Sequence, residues 1–148
     1  MAQVRRAERG DVPQLIPLML AYIVDFYRQP TPPDEDLRNL IDVLLERREG
    51  LQLVADEDGT LVGFATLYFT RNSLQPGRLV VMNDLYVTED ARGTGVAALL
   101  FEACREESRR LGATEMSWET APDNHRAQAF YAKMGGRRED WLVYAIAP

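Results

Sequence analysis

The sequence has few of the residues that form disulfides or bind transition metals. Its 148 residues include one cysteine and one histidine. Cys104 has no partner for an internal disulfide, and the chain lacks a Cys-x-x-Cys pair. His125 has no companion ligands at the spacing of a zinc site. We therefore expect no metal site and a reducing, cytoplasmic location.

Basic clusters and long apolar runs are also missing. The formal net charge is −6 and no basic block occurs, so the electrostatic footprint of a nucleic-acid-binding protein is absent. The apolar stretch 12–24 follows two arginines, as in a secretory signal, but Pro13 and Pro17 interrupt it. It is also too short to cross a bilayer. We expect neither a nucleic acid nor a membrane as partner, whereas cationic or amine partners stay compatible with the charge.

Hydrophobic spacing predicts a single domain over residues 1–148 with the element order ααβββαβαβ. A further short strand near Val4 is compatible with this order. Asp11 is the expected N-cap of the first helix. The predicted elements are helices 11–26, 33–48, 95–111 and 125–134, and strands 51–55, 61–69, 78–87, 115–120 and 141–146. Helices that alternate with strands favour one mixed α/β sheet.

A glycine-rich turn precedes the third predicted helix. Gly93 and Gly95 tolerate positive φ and let backbone N–H groups approach a ligand closely. The unpaired N–H groups at a helix start and the positive end of the helix dipole favour an anion. Arg92 adds a planar fork suited to phosphate oxygens, and Thr94 adds a hydroxyl. The turn is therefore a candidate phosphate site, with an ordinary helix start as the alternative.

Two well-known phosphate motifs do not fit this turn. A Walker loop is excluded because no Gly-Lys-Ser/Thr follows. The spacing Gly93-x-Gly95-x-x-Ala98, with Glu115 further on, formally matches a dinucleotide-binding fingerprint. However, residues 88–92 separate the strand from the first glycine, and only about 50 residues follow, too few for that fold.

Two segments together resemble the signature of the GNAT (Gcn5-related N-acetyltransferase) superfamily. They are "NDLYVTEDARGTGVAALL" and "NHRAQAFYAKMGG", and the acyl-CoA motif Q/R-x-x-G-x-G/A is met by Arg92 to Ala97. The resemblance covers residues 79–136 and is closest to the yeast histone and D-amino-acid acetyltransferase type, then to the diamine acetyltransferases. It implies an α/β (α+β) fold with a mixed central sheet, splayed between the fourth and fifth strands and flanked by about four helices.

The resemblance also implies which residues bind acetyl-CoA. The pyrophosphate would lie on the turn formed by Arg92, Gly93, Thr94, Gly95, Val96, Ala97 and Ala98. The pantetheine arm would pair with the backbone of Leu85, Tyr86 and Val87. Asn124 would hydrogen-bond the cofactor, and Tyr131 would lie near its sulfur. A β-bulge near Asn83 or Asp84 is expected, because the strands must part to admit the arm.

Acetyl transfer to an amine needs a proton acceptor, an oxyanion donor and an acid for the thiolate. Tyr131 is the expected acid, since a phenol with a pKa of about 10 stays protonated at neutral pH. The N–H of Val87 is the expected oxyanion donor. The base is left open between Asp84 and Glu119, and Asp84 is also compatible with a structural role or with binding the substrate ammonium.

Several of these residues also suit ordinary structural roles. Tyr131 falls on the helical stripe of a core aromatic, and either Asp123 or Asn124 is suited to capping the last helix. Cys104 is expected to be a packed thiol. The connection 25–36, with its prolines, aromatics and carboxylates, fits either a solvated loop or a wall over an amine pocket.

The sequence therefore predicts an N-acetyltransferase acting on a primary amine of a small molecule, such as an amino acid or polyamine. Transfer would be direct, in a ternary complex with acetyl-CoA. Asn83 stands where many polyamine enzymes carry glutamate, which weakens that subclass. The alternatives are a protein lysine or N-terminal acetyltransferase and a non-catalytic CoA-binding module. A homodimer is expected, with the apolar segment 141–146 either closing the sheet or meeting a partner.

Overall fold

Five strands and four α-helices make up the regular structure of the computed structural model, which describes residues 1–148. The chain divides into two units, Met1–Trp118 and Glu119–Pro148. The first unit contains β1 Gln3–Arg6, α1 Val12–Leu20, α2 Asp34–Leu45, β2 Gly50–Glu57, β3 Thr60–Arg71, β4 Arg78–Val87, α3 Val96–Leu111 and β5 Glu115–Ser117. The second contains α4 His125–Lys133. None of these helices is long and apolar enough to cross a membrane.

The sheet has the strand order β1-β2-β3-β4-β5, with β1 to β4 antiparallel and β5 parallel to β4. Strand β5 pairs only with the beginning of β4, from Leu79 to Val81. Residues 82–87 of β4 continue without a β5 partner. The mixed sheet and its splay between the fourth and fifth strands are thus confirmed, as is the short strand near Val4.

The hairpin between β2 and β3 follows from the residues at its tip. Asp58 and Gly59 both have positive φ, 52° and 91°, which a two-residue turn of this kind requires. The Asp56 carboxylate accepts a 2.8 Å hydrogen bond from the Gly59 N–H. The turn-rich segment therefore closes the hairpin as expected.

Helices cover both faces of the sheet. The side chains of neighbouring strand residues point to opposite faces, so Gly63 and Phe64 of β3 mark one face each. A Cβ on Gly63 would lie 3.1 Å from Leu100 of α3, whereas the Phe64 ring lies 5.7 Å from that of Tyr22, just after α1. Helix α3 therefore packs on one face of the sheet, and helices α1 and α2 pack on the other.

Local differences from the expected structure occur near both ends of the chain. Asp11 occupies the N-cap position of α1 as expected, but its side chain makes no capping bond. Its carboxylate instead accepts two 2.8 Å bonds from Arg5 and one from the Glu8 N–H. Residues 141–146 form no strand and have no regular secondary structure. An apolar run becomes a strand only when a sheet edge pairs its N–H and C=O groups, and the sequence pattern alone does not supply that edge.

Candidate active site

The glycine turn before α3 offers open backbone amides. Gly93 and Gly95 have φ of 78° and 90°, and a Cβ at either would meet no atom within 4 Å. The first helical bond runs from the Leu99 N–H to the Gly95 carbonyl at 3.1 Å, and no side chain caps the helix. The amides of residues 96–98 therefore lack helical acceptors and are suited to an anion.

Arg92 is anchored at the same turn. Its Nε donates to the Val87 carbonyl at 3.2 Å, and its guanidinium carbon lies 5.9 Å from the ring centres of both Phe26 and Tyr86. These contacts fix a planar cation beside the end of β4. The Thr94 hydroxyl, by contrast, donates to the Ala91 carbonyl, so its proton is used inside the turn rather than offered to a phosphate.

The end of β4 has backbone groups that face away from β3. The Thr88 N–H donates to the Val62 carbonyl at 2.9 Å, and Val87 lies opposite Gly63 in the next register position. Because hydrogen-bonded and non-hydrogen-bonded pairs alternate in an antiparallel ladder, the N–H groups of Val87 and Leu85 point to the other side. That is the side on which β5 has already ended, so these donors face the splay.

A β-bulge marks the point where β4 leaves β5. Thr66 of β3 pairs with Asp84, but the next residue, Leu67, pairs with Met82, so the register skips Asn83. The extra residue bends the strand and re-aims its side chains. The bulge expected near Asn83 or Asp84 is confirmed, with Asn83 as the inserted residue.

Asp84 is a buried carboxylate, only 9% exposed. It accepts a 2.9 Å hydrogen bond from the Asn83 amide, and the nearby hydroxyls of Thr66 and Tyr22 favour its ionised form. The Tyr22 hydroxyl donates to the Asn83 carbonyl at 3.4 Å. The Thr66 hydroxyl in turn accepts from the Gln52 side chain at 3.1 Å. Burial raises the pKa of Asp84, although these donors act in the opposite direction. Burial and the nearby Asp84 charge also raise the pKa of Tyr22, which therefore remains a donor.

A cavity of about 350 Å³ opens beside Asp84. Aromatic rings form much of its wall, from Tyr22, Tyr27, Phe64 and Tyr68. The Tyr22 ring lies 4.9 Å from the Tyr27 ring in an edge-on contact. The wall interpretation of the 25–36 connection is thus supported, since Tyr27 and Gln29 of that segment line the cavity.

The sequence pattern does not predict the element that carries some of these rings. Helix α1 continues as a π-helical turn from Ala21 to Phe26, which carries Tyr22 to the cavity and Phe26 to Arg92. Inserted π turns of this kind are frequent at functional sites. The polar residues Gln52 and Thr66 in otherwise apolar strands are the sequence signal for this buried polar cluster.

The second unit carries the remaining candidates. The Asn124 side chain accepts a 3.1 Å bond from the Ala127 N–H, so Asn124, rather than Asp123, caps α4. Tyr131 lies partly buried on α4, with its ring 5.6 Å from that of Phe130. Glu119 is exposed. Contacts of Asn124 and Tyr131 with a cofactor remain predictions.

Cys104 is fully buried in α3, and burial raises the pKa of its thiol to about 12. A thiol that stays protonated in the core is a poor nucleophile. The expectation of a packed thiol is confirmed.

The fold and these features define an acyltransferase domain, and residues 17–136 match the Acetyltransferase (GNAT) family. The chain belongs to that family. It is 30% identical to the uncharacterized N-acetyltransferase YhfO of Bacillus subtilis, over 95% of this chain and 93% of that protein. It is 41% identical to the D-amino-acid N-acetyltransferase HPA3 of Saccharomyces cerevisiae, over 58% of this chain and 53% of that protein.

A solved structure extends the likeness to the whole fold. The aminoglycoside N-acetyltransferase AAC(6')-Iy, in complex with CoA, superposes with a TM-score of 0.79 at 18% identity, covering 99% of each chain. Family membership makes this chain an N-acetyltransferase and agrees with acetyl-CoA as its cofactor.

Proposed function

We propose that the protein transfers the acetyl group of acetyl-CoA to a primary amine of a small molecule. One observation carries the proposal: strand β4 joins both halves of the necessary site within a few residues. Asp84 projects a buried carboxylate into an aromatic cavity, and the backbone that follows has donors facing the splay. The glycine turn with its open amides comes next along the chain.

The residues present fit a diphosphate-bearing cofactor. Open amides at residues 96–98, glycines whose missing Cβ leaves free space, and the anchored Arg92 form a cradle for the pyrophosphate. The backbone of Leu85 would pair with the pantetheine arm in the manner of an added strand, which leaves the Val87 N–H for the thioester carbonyl. Asn124 and Tyr131 are the further residues that the family resemblance assigns to the cofactor.

Acetyl-CoA supplies an activated thioester carbonyl, and the chain's residues arrange protons and charge around it. Asp84 would hold the substrate ammonium and accept one of its protons, for which a carboxylate with a raised pKa is well suited. The freed amine would attack the carbonyl carbon while the Val87 N–H stabilises the developing oxyanion. Tyr131 would donate its phenolic proton to the departing thiolate.

Release of free thiol from acetyl-CoA tests this function. Purified protein is incubated with acetyl-CoA and a panel of primary amines, and CoA binding is measured separately by calorimetry. Amine-dependent thiol release supports the proposal. CoA binding without turnover on any amine would refute it in favour of a binding module. Transfer of labelled acetyl groups only to proteins of a cell extract would refute it in favour of a protein acceptor.

Tyr131→Phe tests the proposed acid. Loss of the hydroxyl should lower kcat by about 10²-fold or more, the usual contribution of a positioned acid, while CoA affinity stays within about twofold. Phe130→Tyr is a matched control, because it adds a hydroxyl at the neighbouring ring. An unchanged kcat in Tyr131→Phe would remove this residue from the mechanism.

We also propose that the protein is a cytoplasmic homodimer. The large apolar side chains of the final segment are 72–93% exposed: Trp141, Leu142, Val143, Tyr144 and Ile146. A contiguous apolar stretch of this kind marks an interaction site, and a second copy offers a sheet edge that could pair with it. Light scattering should give a dimer mass, and fractionation of the source cells should place the protein in the soluble cytoplasm.

Serine at both Leu142 and Tyr144 removes two of these exposed apolar side chains and should convert that dimer to a monomer. Arg138→Ser is the control outside the apolar segment. A monomeric mass for the unaltered protein would overturn the dimer.

A further inference from the structure

We propose that the acceptor is a primary monoamine carried on an apolar, aromatic-sized group and lacking a carboxylate. This inference rests on the proposed acetyltransferase function and narrows its substrate class. It follows from the chemistry of the cavity wall beside Asp84, which lies entirely within the first unit.

The cavity has one place for a positive charge. Asp84 is the only charged residue of the wall, and Gln29 and Asn83 are the only neutral amides. Asn83 already donates to Asp84, and Gln29 donates to the Tyr27 carbonyl at 3.3 Å. An ammonium seated here would pair with the carboxylate and lie among tyrosine rings, whose π systems also attract cations. The wall is therefore complementary to a single cation.

The remainder of the wall accepts hydrocarbon. Beyond the four aromatic residues it is formed by Met19, Ile23, Leu37 and Leu40. Leu37 is 5% exposed and Met19 is 3% exposed, so these side chains belong to the packed core behind the cavity. Its volume of about 350 Å³ is at the small end for ligand sites. An aromatic or branched aliphatic group fills such a space with a gain from apolar burial.

The same wall disfavours two other kinds of amine. No arginine, lysine or histidine lines the cavity, so the carboxylate of an amino acid would be buried without a partner. Arg92 does not line it, and the proposed function assigns its guanidinium to the pyrophosphate. A polyamine would bring a second ammonium, for which no second carboxylate is present. The inferred acceptor thus differs from the D-amino acid in the name of the yeast relative.

With this acceptor, all bonds and protons of the acetyl transfer are accounted for. The alkylammonium gives one proton to Asp84, and its nitrogen forms the C–N bond as the thioester C–S bond breaks. The thiolate leaves with the proton from Tyr131, and the second ammonium proton restores the phenol. The products are the N-substituted acetamide and CoA thiol, with one proton released to solvent from Asp84.

Three amines separate the possibilities: 2-phenylethylamine, phenylalanine and spermidine. With acetyl-CoA at saturation, kcat/KM for 2-phenylethylamine should exceed that of the other two by roughly 100-fold, since each rival buries an unpaired charge. Equal or higher kcat/KM for phenylalanine or spermidine would overturn the inference while leaving acetyl transfer established. Absence of turnover on all amines would instead count against the proposed function.

Binding without the cofactor gives an independent reading. Quenching of tyrosine fluorescence, or chemical-shift changes in the protein, should detect 2-phenylethylammonium at concentrations where phenylalanine and spermidine give none. Binding would support the cavity assignment even in a preparation that lacks turnover. Comparable binding of all three amines would refute the proposed selectivity.

A single substitution should change the selectivity in a defined direction. Gln29→Arg places a guanidinium on the cavity wall and provides a carboxylate partner, so the ratio of kcat/KM for phenylalanine over 2-phenylethylamine should rise at least tenfold. Gln75→Arg adds the same charge on an exposed loop and should leave that ratio unchanged. The same rise in both variants would show a general charge effect and contradict the role of the cavity.

Discussion

Alanine at Gly95 tests whether the backbone shape of the turn is essential. Gly95 has φ of 90°, and a Cβ placed there would touch nothing within 4 Å, so the substitution adds strain without a clash. A left-handed conformation costs a residue with a Cβ about 1–2 kcal/mol. Gly95→Ala should therefore lower the free energy of unfolding by about 1–2 kcal/mol, or the melting temperature by roughly 2–8 °C.

Gly10→Ala is the matched control. Gly10 also has open space around a hypothetical Cβ, but its φ is not positive. Both variants reduce the conformational freedom of the unfolded chain to the same degree, which by itself stabilises the fold. The difference between them, measured by urea denaturation, isolates the strain in the turn.

The strain that Gly95→Ala introduces should also weaken CoA binding. If the turn relaxes by rotating its amides, each 1.4 kcal/mol of lost interaction weakens CoA binding about tenfold. Calorimetry on Gly95→Ala should therefore show weaker binding than on Gly10→Ala. If the two variants match in both stability and CoA affinity, the turn does not depend on its left-handed geometry, and the cradle argument fails.

Two further substitutions and one labelling experiment test other parts of the structure. Asp84→Asn should lower kcat at least 10²-fold. Burial raises the pKa of Asp84 in the folded wild-type protein, so the wild type loses stability as pH rises through that pKa. Asparagine does not titrate, so the free energy of unfolding of Asp84→Asn relative to the wild type should increase from pH 4 to pH 8. A decrease over this range would contradict the burial argument. Cys104, with a thiol pKa of about 12, should resist alkylation at pH 8 until urea unfolds the chain, and rapid labelling of native protein would contradict its burial. Gly63→Ala should lower the free energy of unfolding by about 1–3 kcal/mol, because its Cβ would lie 2.7 Å from the Tyr86 carbonyl; a change below 0.5 kcal/mol would show that β3 and β4 can separate freely there.

The parts of the molecule that sequence could predict have local causes. The glycine turn was recognisable because Gly93 and Gly95 precede an apolar helix pattern, and both adopt the positive φ that favours glycine. The sequence predicts strand β4 with its observed bounds, Arg78–Val87, because the segment is rich in Val, Leu, Met and Tyr. The hairpin at Asp58 and Gly59 follows the same logic.

The parts that sequence could not predict depend on contacts between distant residues. The buried polar residues Gln52, Thr66 and Asp84 lie on three neighbouring strands, and no spacing rule links those positions. The π-helical turn that carries Tyr22 has the composition of an ordinary apolar helix. Segment 141–146 shows the converse error, since a strand-like pattern does not form a strand without an edge to pair with.

The position of Asp84 is best explained by a role in binding the substrate rather than by a contribution to the stability of the fold. Burial raises the pKa of Asp84 because removing its charge from water costs free energy. An apolar residue at the same place would avoid that desolvation cost. The bulge at Asn83 likewise interrupts the ladder with β3. Both features fall where β4 parts from β5, beside the cavity and ahead of the open amides. Departures from the most stable arrangement that coincide at one point of a sheet are typical of a functional site, so the same residues that weaken the strand are the ones to which we assign recognition of the amine.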